Sequence, residues 1–440
     1  MKALVSAVVL CGLVGAAHAD DKAPVRALLA APEQLASWLR DRDPVMEAQR
    51  AKVVAAQAAS SQARVIPNPS LSLGVANIPL GRPSANGTDD GTGMHESTSA
   101  ADTLIYNATL EEQVELGKRG PRKAAADLRV REAGLTAQGT LGGKVNDVEQ
   151  ALGKLAYVTS RKAVLTTNLA AATQLMGLEK VRLDHKDLSP LEFARIELDT
   201  ADVARQLTRA EADLATAVAT CNAALYAECA LDGLDDPAVL DGGAPLPPTM
   251  PGTDEAIEAR PERAATHLEI QALNKDADLA HARRIPDPTF GLGYTYDRFN
   301  ESGDLRHSLL FSVAIPLGIF DTGAHDAAAA RANAHAAEAT ERAEVREAKG
   351  QVEALFAQRK TLEMTLTTLE RDQVPKSAQI IEQTRKAFDL GQATLGDLLL
   401  VERAHRDLLL EVLDTRFDLF NVRASLREQL GLDDQAARTP

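Results

Sequence analysis

The chain has 440 residues, 45% of them hydrophobic, and a formal net charge of −15. A surface this acidic excludes nucleic acid as a partner, because nucleic acid binds basic surfaces. Beyond the N-terminal segment no run of 18 apolar residues remains, so a membrane protein built from spanning helices is also excluded. Two classes are left: a soluble periplasmic protein, and an outer-membrane protein whose β-strands carry a weak hydropathy signal.

The N-terminal segment has the pattern of a secretory signal. Lys2 is followed by an apolar run that ends near Ala16, and the next three residues have the small-x-small pattern of a cleavage site. We therefore expect a signal peptide at residues 1–19. Cys11 lacks the small residue that normally precedes a lipidated cysteine, so no lipid anchor is expected. Cys221 and Cys229 could form a disulfide in an oxidising compartment, provided that the helix carrying them ends in between.

The chain contains an internal repeat. Residues 62–74 align with residues 281–293 at a constant offset of 219, with seven identities in thirteen positions. This predicts a first structural repeat at 20–230 and a second at 254–432. A Pro- and Gly-rich connector at 231–253 separates them, and a flexible C-terminus at 433–440 follows.

Each repeat contains a predicted β-hairpin, at 66–117 and at 286–318. The second alternates cleanly, around a predicted turn at 300–304, whereas the first contains a solvated loop between residues 77 and 103. Aromatic residues gather on these strands, as in the interfacial girdle of a membrane barrel; we single out Tyr106, Phe290, Tyr294, Tyr296 and Phe311. A water-soluble sandwich is the alternative. Four strands cannot close a barrel, so membrane strands would have to be shared between chains, and three chains would supply 12 strands.

A helical hairpin follows each β-hairpin, at 121–230 and at 322–431. The first helix of each spans about 60 residues, or about 90 Å, which is too long for an ordinary globule. The last helix carries a heptad seam, as expected for a helix packed in a coiled coil. The hairpins turn at residues 183–190 and 389–395, where Ser189 and Thr394 can cap the returning helices.

Nothing in the sequence indicates catalysis. It has no phosphate-binding loop, no nucleophile motif and no cysteine cluster, and its nine histidines form no recognisable ligand pair. We therefore expect neither an enzyme nor a bound cofactor or metal ion.

The pattern resembles the TolC family of trimeric outer-membrane factors. The most specific segments are Pro67–Gly74, Pro286–Pro288, Ser312–Leu317 and Leu390–Asp397. The resemblance implies a mainly α fold with a β-barrel part, in which a homotrimer forms a 12-stranded barrel in outer-membrane lipid and a long α-barrel in the periplasm. It also implies two partners, a periplasmic membrane-fusion adaptor and an inner-membrane pump of the resistance-nodulation-division class.

The segment Glu112–Gly120 resembles the cobalt-zinc-cadmium branch of that family, which implies export of heavy-metal cations. Two alternatives stay open. The cargo could instead be drugs, small organic compounds or secreted peptides, or the chain could be a soluble periplasmic coiled-coil scaffold.

The resemblance also implies sites at the two turns. Adaptor contacts fall on Leu188, Ser189, Gly391, Gln392 and Thr394. A periplasmic gate falls on Asp397 and on Leu400, where some members carry a second aspartate. Three Asp397 carboxylates near a common axis would attract cations and repel anions. Alternatively, Asp397 is only a first-turn residue favoured by the helix dipole.

Overall fold

The computed structural model describes residues 22–78, 104–247, 250, 252–298, 305–317 and 322–433. The predicted signal peptide, Cys11, the 300–304 turn and nearly all of the predicted solvated loop and flexible C-terminus lie outside these ranges. The strands are β1 Ser70–Ala76, β2 Ile105–Gln113, β3 Thr289–Asp297 and β4 His307–Ala314. The helices are α1 Val25–Ala30, α2 Pro32–Arg42, α3 Pro44–Ala63, α4 Arg119–Asp184, α5 Pro190–Leu225, α6 Ala238–Gly242, α7 Thr253–Glu258, α8 Pro261–Ala282, α9 Ala324–Thr368, α10 Val374–Asp389 and α11 Leu395–Gln429. Among the helices in the described ranges, none is both long and apolar enough to cross a membrane.

The chain divides into two compact units, each built from separated stretches of sequence. The first unit contains Met1–Ala48, Ala137–Pro261 and Val345–Pro440, and the second contains Gln49–Thr136 and Glu262–Glu344. Three stretches far apart in the sequence must therefore come together before the first unit is complete.

The core of the first unit forms around Phe420 of α11, which is fully buried. Leucines of α2, α4 and α5 share this core, among them Leu39, Leu152 and Leu225. Gly153 of α4 leaves space for the ring, because a Cβ atom at that position would overlap it. A glycine inside a helix costs about 1 kcal/mol relative to alanine, and here it allows the largest fully buried side chain of the core to fit.

The long helices follow the predicted pattern with one difference. The helix α4 is continuous over 66 residues, but the predicted second long helix is divided into α9 and α10. A π-helical turn at Leu369–Gln373 separates them, where the N–H of Val374 donates to the carbonyl of Leu369, five residues back. Pro375 follows directly and has no N–H to continue the α-helical bonding, which explains why the helix is interrupted here.

The described part of the second unit contains an antiparallel sheet with the order β1-β2-β3-β4. In its register Leu71 pairs with Leu110, Tyr106 with Tyr296, and Leu292 with Phe311. β1 thus pairs with β2 and β3 with β4, and the pairing of β2 with β3 joins them into one sheet.

The segment Glu112–Gly120 forms the corner where β2 leads into α4. Asp287 accepts a hydrogen bond from the N–H of Leu116 at 2.9 Å and forms an ion pair with Lys118 at 2.6 Å. Arg122 pairs with Glu115 and donates to the carbonyl of Ala63 at 3.1 Å. These charged side chains therefore connect the end of α3, the start of α4 and the approach to β3.

A disulfide lies at the end of α5 in the first unit. The helix ends at Leu225, where Tyr226 adopts a left-handed conformation with φ of 54°, and the chain turns back. Cys221 and Cys229 are bonded, with their Cα atoms 6.3 Å apart. Cys229 also forms a parallel bridge with Ala23, so the start of the described chain is attached beside the disulfide.

Candidate functional site

One face of the sheet is apolar and exposed. Its most exposed members are Leu309 at 77%, Leu73 at 74% and Phe311 at 69%. The register places the following side chains on this face in neighbouring rows: Leu71, Leu73, Val75, Tyr106, Leu110, Phe290, Leu292, Tyr294, Tyr296, Leu309, Phe311 and Val313. An apolar face of this kind in a stable protein indicates contact with lipid or with another protein.

The opposite face carries mostly small and polar residues, with Leu310 as an exposed apolar exception. Gly291 and Gly293 are buried on β3, and Ser72, Thr109 and Ser312 lie beside or near them on the other strands. In the part of the chain that the structure describes, β1 and β4 each have a strand neighbour on one side only. The sheet is thus amphipathic and has two free edges that can pair with further strands.

The predicted girdle aromatics share the apolar face. Tyr106 and Tyr296 stack with ring centroids 6.4 Å apart, and Phe290 and Phe311 lie 6.5 Å apart. The hydroxyl of Tyr294 is 2.6 Å from a ring nitrogen of His307. The three tyrosines lie towards the Asp297 end of β3 and Phe290 towards its start, so aromatic rings lie near both ends of the face.

The two helical hairpins of the first unit turn in the same way. In the first turn Lys186 has φ of 68°, and in the second Gly391 has φ of 72°. The next residue then bonds five residues back: the N–H of Asp187 donates to Arg182 at 2.8 Å, and that of Gln392 donates to Ala387 at 2.7 Å. This is the Schellman arrangement, which satisfies the carbonyls at the end of a helix.

Each turn ends in a capping box. Glu192 and Ser189 exchange hydrogen bonds at 3.2 Å in both directions, and Asp397 and Thr394 do so at 3.2 and 3.0 Å. The hydrogen bond from the hydroxyl of Thr394 lowers the pKa of Asp397, so this exposed carboxylate is charged at neutral pH. Asp397 therefore caps the start of α11, and its charge remains accessible at the surface.

The predicted tip residues are mostly exposed. Ser189, Gly391, Gln392 and Thr394 lie at the surface of the two turns. Leu188 differs from the prediction of an adaptor contact, since it is only 8% exposed and packs with Ile196 and Leu395. Leu188 thus supports the turns from beneath.

The predicted gate residues lie at the start of α11. Asp397 is exposed, and Leu400, one turn later, is 68% exposed and lines an open groove of about 670 Å³. The groove lies between α5 and α11 and is lined by charged residues of both signs: Arg195, Arg205, Arg403, Arg406, Asp199, Asp202 and Asp407.

An ion-pair network in this groove was not predicted from the sequence. Asp199 of α5 is 6% exposed and accepts a hydrogen bond from Arg403 at 2.8 Å, while Arg406 lies 3.6 Å away. Arg406 is itself only 5% exposed. Buried charges so near the turns connect the two hairpins, and only the three-dimensional pairing of α5 with α11 reveals them.

Within the described ranges, no group of three or more His, Cys, Asp or Glu side chains is arranged to hold a metal ion. The features of functional interest are therefore surfaces and charges: the apolar sheet face, the two turns and the groove between α5 and α11.

Comparisons with known proteins agree with this fold. Residues 253–432 match the family model described as outer membrane efflux protein. The chain is similar to the nickel and cobalt resistance protein CnrC of Cupriavidus metallidurans, with 26% identity over 294 residues. That similarity covers 66% of this chain and 63% of CnrC, so the chain spans less than two thirds of this curated relative's length.

Solved structures share the fold over nearly the whole chain. CusC, from a study of conformational changes accompanying folding and transmembrane channel formation, matches with a TM-score of 0.73 and 15% identity, covering 93% of this chain and 94% of CusC. The MtrE outer membrane channel of Neisseria gonorrhoeae, solved in its open state, matches with a TM-score of 0.71 and 15% identity, covering 91% and 89%. The resemblance seen in the sequence is confirmed: residues 253–432 match the outer membrane efflux protein family, and the chain shares the fold of solved outer-membrane channels.

Proposed function

We propose that this protein is the exit duct of a tripartite efflux system. In this proposal three copies share one 12-stranded outer-membrane barrel, and their long helices form a periplasmic tube. The duct is a passive conduit, since the energy for export would come from an inner-membrane pump and not from chemistry on this chain.

The amphipathic sheet is the observation that carries the proposal. Its apolar face suits lipid, and its small and polar face suits a water-filled lumen. In hydrocarbon an unpaired strand edge costs several kcal/mol for each unsatisfied backbone group. The free edges at β1 and β4 would therefore have to pair with those of neighbouring copies.

Cross-linking between sheet edges tests the shared barrel. β1 and β4 are separated by two strands, so their backbones lie about 14 Å apart within one chain, beyond the roughly 7 Å limit for a disulfide. Chains carrying Ser72→Cys together with Ser308→Cys or Ser312→Cys should therefore form covalent dimers and trimers on oxidation in the outer membrane. Chains with either cysteine alone should give no trimer. Recovery of only monomers from every pair, and of a protein that needs no detergent, would favour a soluble scaffold.

The proposed cargo is a heavy-metal cation. Two observations support it: the resemblance of the segment Glu112–Gly120 to the cobalt-zinc-cadmium branch, and the similarity to a nickel and cobalt resistance protein. A conduit needs only weak ion sites, because tight binding would slow release. Drugs, small organic compounds and secreted peptides are the competing cargo.

Growth of a deletion strain discriminates between these cargoes. The strain should become sensitive to one or more of nickel, cobalt, zinc, cadmium and copper, and should grow normally with antibiotics and dyes. Plasmid-borne wild-type protein should restore growth. Sensitivity to organic compounds alone would retain the duct and reject the metal cargo.

The proposed partners are a periplasmic adaptor and a pump of the resistance-nodulation-division class. The exposed tip residues Ser189, Gly391, Gln392 and Thr394 would form the adaptor-facing surface, and Leu188 would hold the two turns together beneath it. Substitution of Gln392 by Arg should weaken adaptor capture without loss of trimer, which co-purification from membranes can measure.

The proposed gate is a ring of Asp397 carboxylates. Leu400 would form a second, apolar ring one helical turn later. Asp397→Asn should reduce the preference for cations in single-channel conductance, because the ring loses its charge. Glu192→Gln is the matched control, since Glu192 is the capping-box acid of the other turn. Equal effects of the two substitutions, or no effect of Asp397→Asn, would leave Asp397 with its capping role alone.

A further inference from the structure

Three buried ionisable side chains meet in the first unit. Glu149 lies on α4, Arg427 near the end of α11 and Asp433 in the turn that follows. They are 0%, 6% and 1% exposed. Buried ionisable groups are rare unless their charges are compensated, so the charge balance of this group requires an explanation.

Arg427 is at the centre of the group. Its Nε and Nη2 atoms donate to one oxygen of Asp433, at 2.9 and 2.6 Å, and its Nη1 atom donates to the carbonyl of Pro245 in the connector. Glu149 approaches the same guanidinium from α4, with Oε2 3.9 Å from Nε. One cation thus links four parts of the first unit: α4, α11, the connector and the C-terminal turn.

The charges of the group do not cancel if every side chain ionises. An arginine stays protonated in proteins, so two ionised carboxylates would leave a net charge of about −1 in a buried site. Within the described part of the chain, neither oxygen of Glu149 has a hydrogen-bond partner, nor has Oδ2 of Asp433. A buried anion without hydrogen bonds is strongly unfavourable, and a carboxyl group in this position takes up a proton.

Among the described residues, the neighbouring charged groups of α11 have other partners. Glu428 accepts a hydrogen bond from Asn146 of α4 at 2.8 Å. Arg423, one turn before Arg427, donates instead to the carbonyls of Leu240 and Asp241. Burial, assisted by repulsion from Asp433 and opposed by attraction to Arg427, raises the pKa of Glu149 to about 8.

We infer that Glu149, Arg427 and Asp433 form a buried proton-binding site, and that the bound proton keeps the C-terminal turn and the connector attached to α4. At neutral pH one proton is held by the carboxyl pair, chiefly on Glu149, and the group is electrically neutral. Loss of this proton leaves a buried net negative charge and loosens the contacts made by Arg427.

The raised pKa of Glu149 determines the direction of the pH effect. The ordinary pKa of a glutamate here is 4.5 and that of folded Glu149 about 8, so between these values the folded protein holds a proton that the unfolded chain releases. Attachment of the turn should therefore weaken as the pH rises from about 5 to 8. Because one proton is released, the equilibrium constant for detachment of the turn can change by at most tenfold per pH unit.

Infrared spectroscopy of the purified full-length protein in detergent detects the proton directly. The wild-type protein should show the carbonyl stretch of a protonated carboxyl group at pH 7, and the band should diminish above pH 8. Glu149→Gln and Asp433→Asn should each abolish it, because one remaining carboxylate and one guanidinium neutralise each other. Asp147→Asn, which removes an exposed carboxylate two residues away on α4, should leave the band unchanged.

Hydrogen exchange measures the consequence for the turn. The amides of residues 427–433 should exchange faster in the wild-type protein as the pH rises from about 5 to 8, after correction for the intrinsic rate, and the acceleration should level off above pH 8. This extra acceleration should be absent in Glu149→Gln and present in Asp147→Asn. A wild-type protein without the carboxyl band at pH 7, or a band that survives both Glu149→Gln and Asp433→Asn, would overturn the inference.

Discussion

The two hairpin turns of the first unit have the same backbone geometry. They differ in the residue that adopts the left-handed conformation and in the residue two positions later. Both place a left-handed residue after a long helix and then a capping box, yet the left-handed residue is Lys186 in one turn and Gly391 in the other. Under Lys186 the turn also buries Leu188, whereas the corresponding residue of the second turn is Ala393. One turn therefore relies on apolar packing and the other on conformational freedom.

This comparison shows that hydrogen bonds determine the geometry of a turn more strictly than residue identity does. The left-handed conformation costs about 1 kcal/mol or more for residues other than glycine. Lys186 tolerates it, because the turn satisfies the helix-terminal carbonyls and Leu188 packs beneath it.

The largest change in the stability of the turns should come from truncation of the buried Leu188 side chain. Leu188→Ala should destabilise the turns by about 2–3 kcal/mol, since it removes a side chain from the cluster around Ile196 and Leu395. Hydrogen exchange at the amides of Asp187 and Glu192 measures the change. Leu191→Ala is the control, because Leu191 is 67% exposed and should change exchange little. Similar protection factors in both variants would mean that the first turn does not depend on packing.

A smaller loss of stability should follow when a Cβ atom is added to Gly391 in the second turn. Gly391→Ala should destabilise the second turn by about 1–2 kcal/mol, because alanine is strained at φ of 72°. Nothing lies within 4 Å of the added Cβ atom, so the effect reports backbone strain and not a clash. Exchange at the amide of Gln392, which donates to Ala387, measures it. Gly120→Ala, also without close neighbours but lacking the left-handed conformation, is the control.

The smallest effect should be a gain in stability. Lys186→Gly should stabilise the first turn by about 0.5–1 kcal/mol, since the strain at φ of 68° is relieved at some cost in unfolded-chain entropy. The amide of Asp187 should then exchange more slowly than in the wild-type protein. Loss of protection in this variant would show that the lysine side chain itself supports the turn.

The features that sequence predicts well in this protein are those encoded by local patterns. Alternation along β3 predicts its strand, and the residues Ser189 and Thr394 predict their helix caps, because each signal depends on a few neighbouring positions. The turn at Gly391 is recognisable for the same reason.

Features that depend on distant contacts could not be predicted. Arg406 is buried because Asp199 lies opposite it on another helix, 207 positions earlier in the sequence. The π-helical turn before Pro375 and the burial of Leu188 are of the same kind. A single proline predicts a disturbance in a helix, but the form that it takes depends on the packing around it.

The disulfide and the β-bridge beside it constrain the order in which parts of the chain can fold. Ala23 donates its N–H to Glu228 at 2.7 Å and accepts from Ala230 at 3.0 Å, beside the Cys221–Cys229 bond. The beginning of the described chain must therefore wait until more than two hundred further residues have emerged before it finds its place. Because the cysteines themselves are only eight positions apart, their bond can close early, as soon as the chain reaches an oxidising compartment. The disulfide can thus form before Ala23 pairs with the chain beside it.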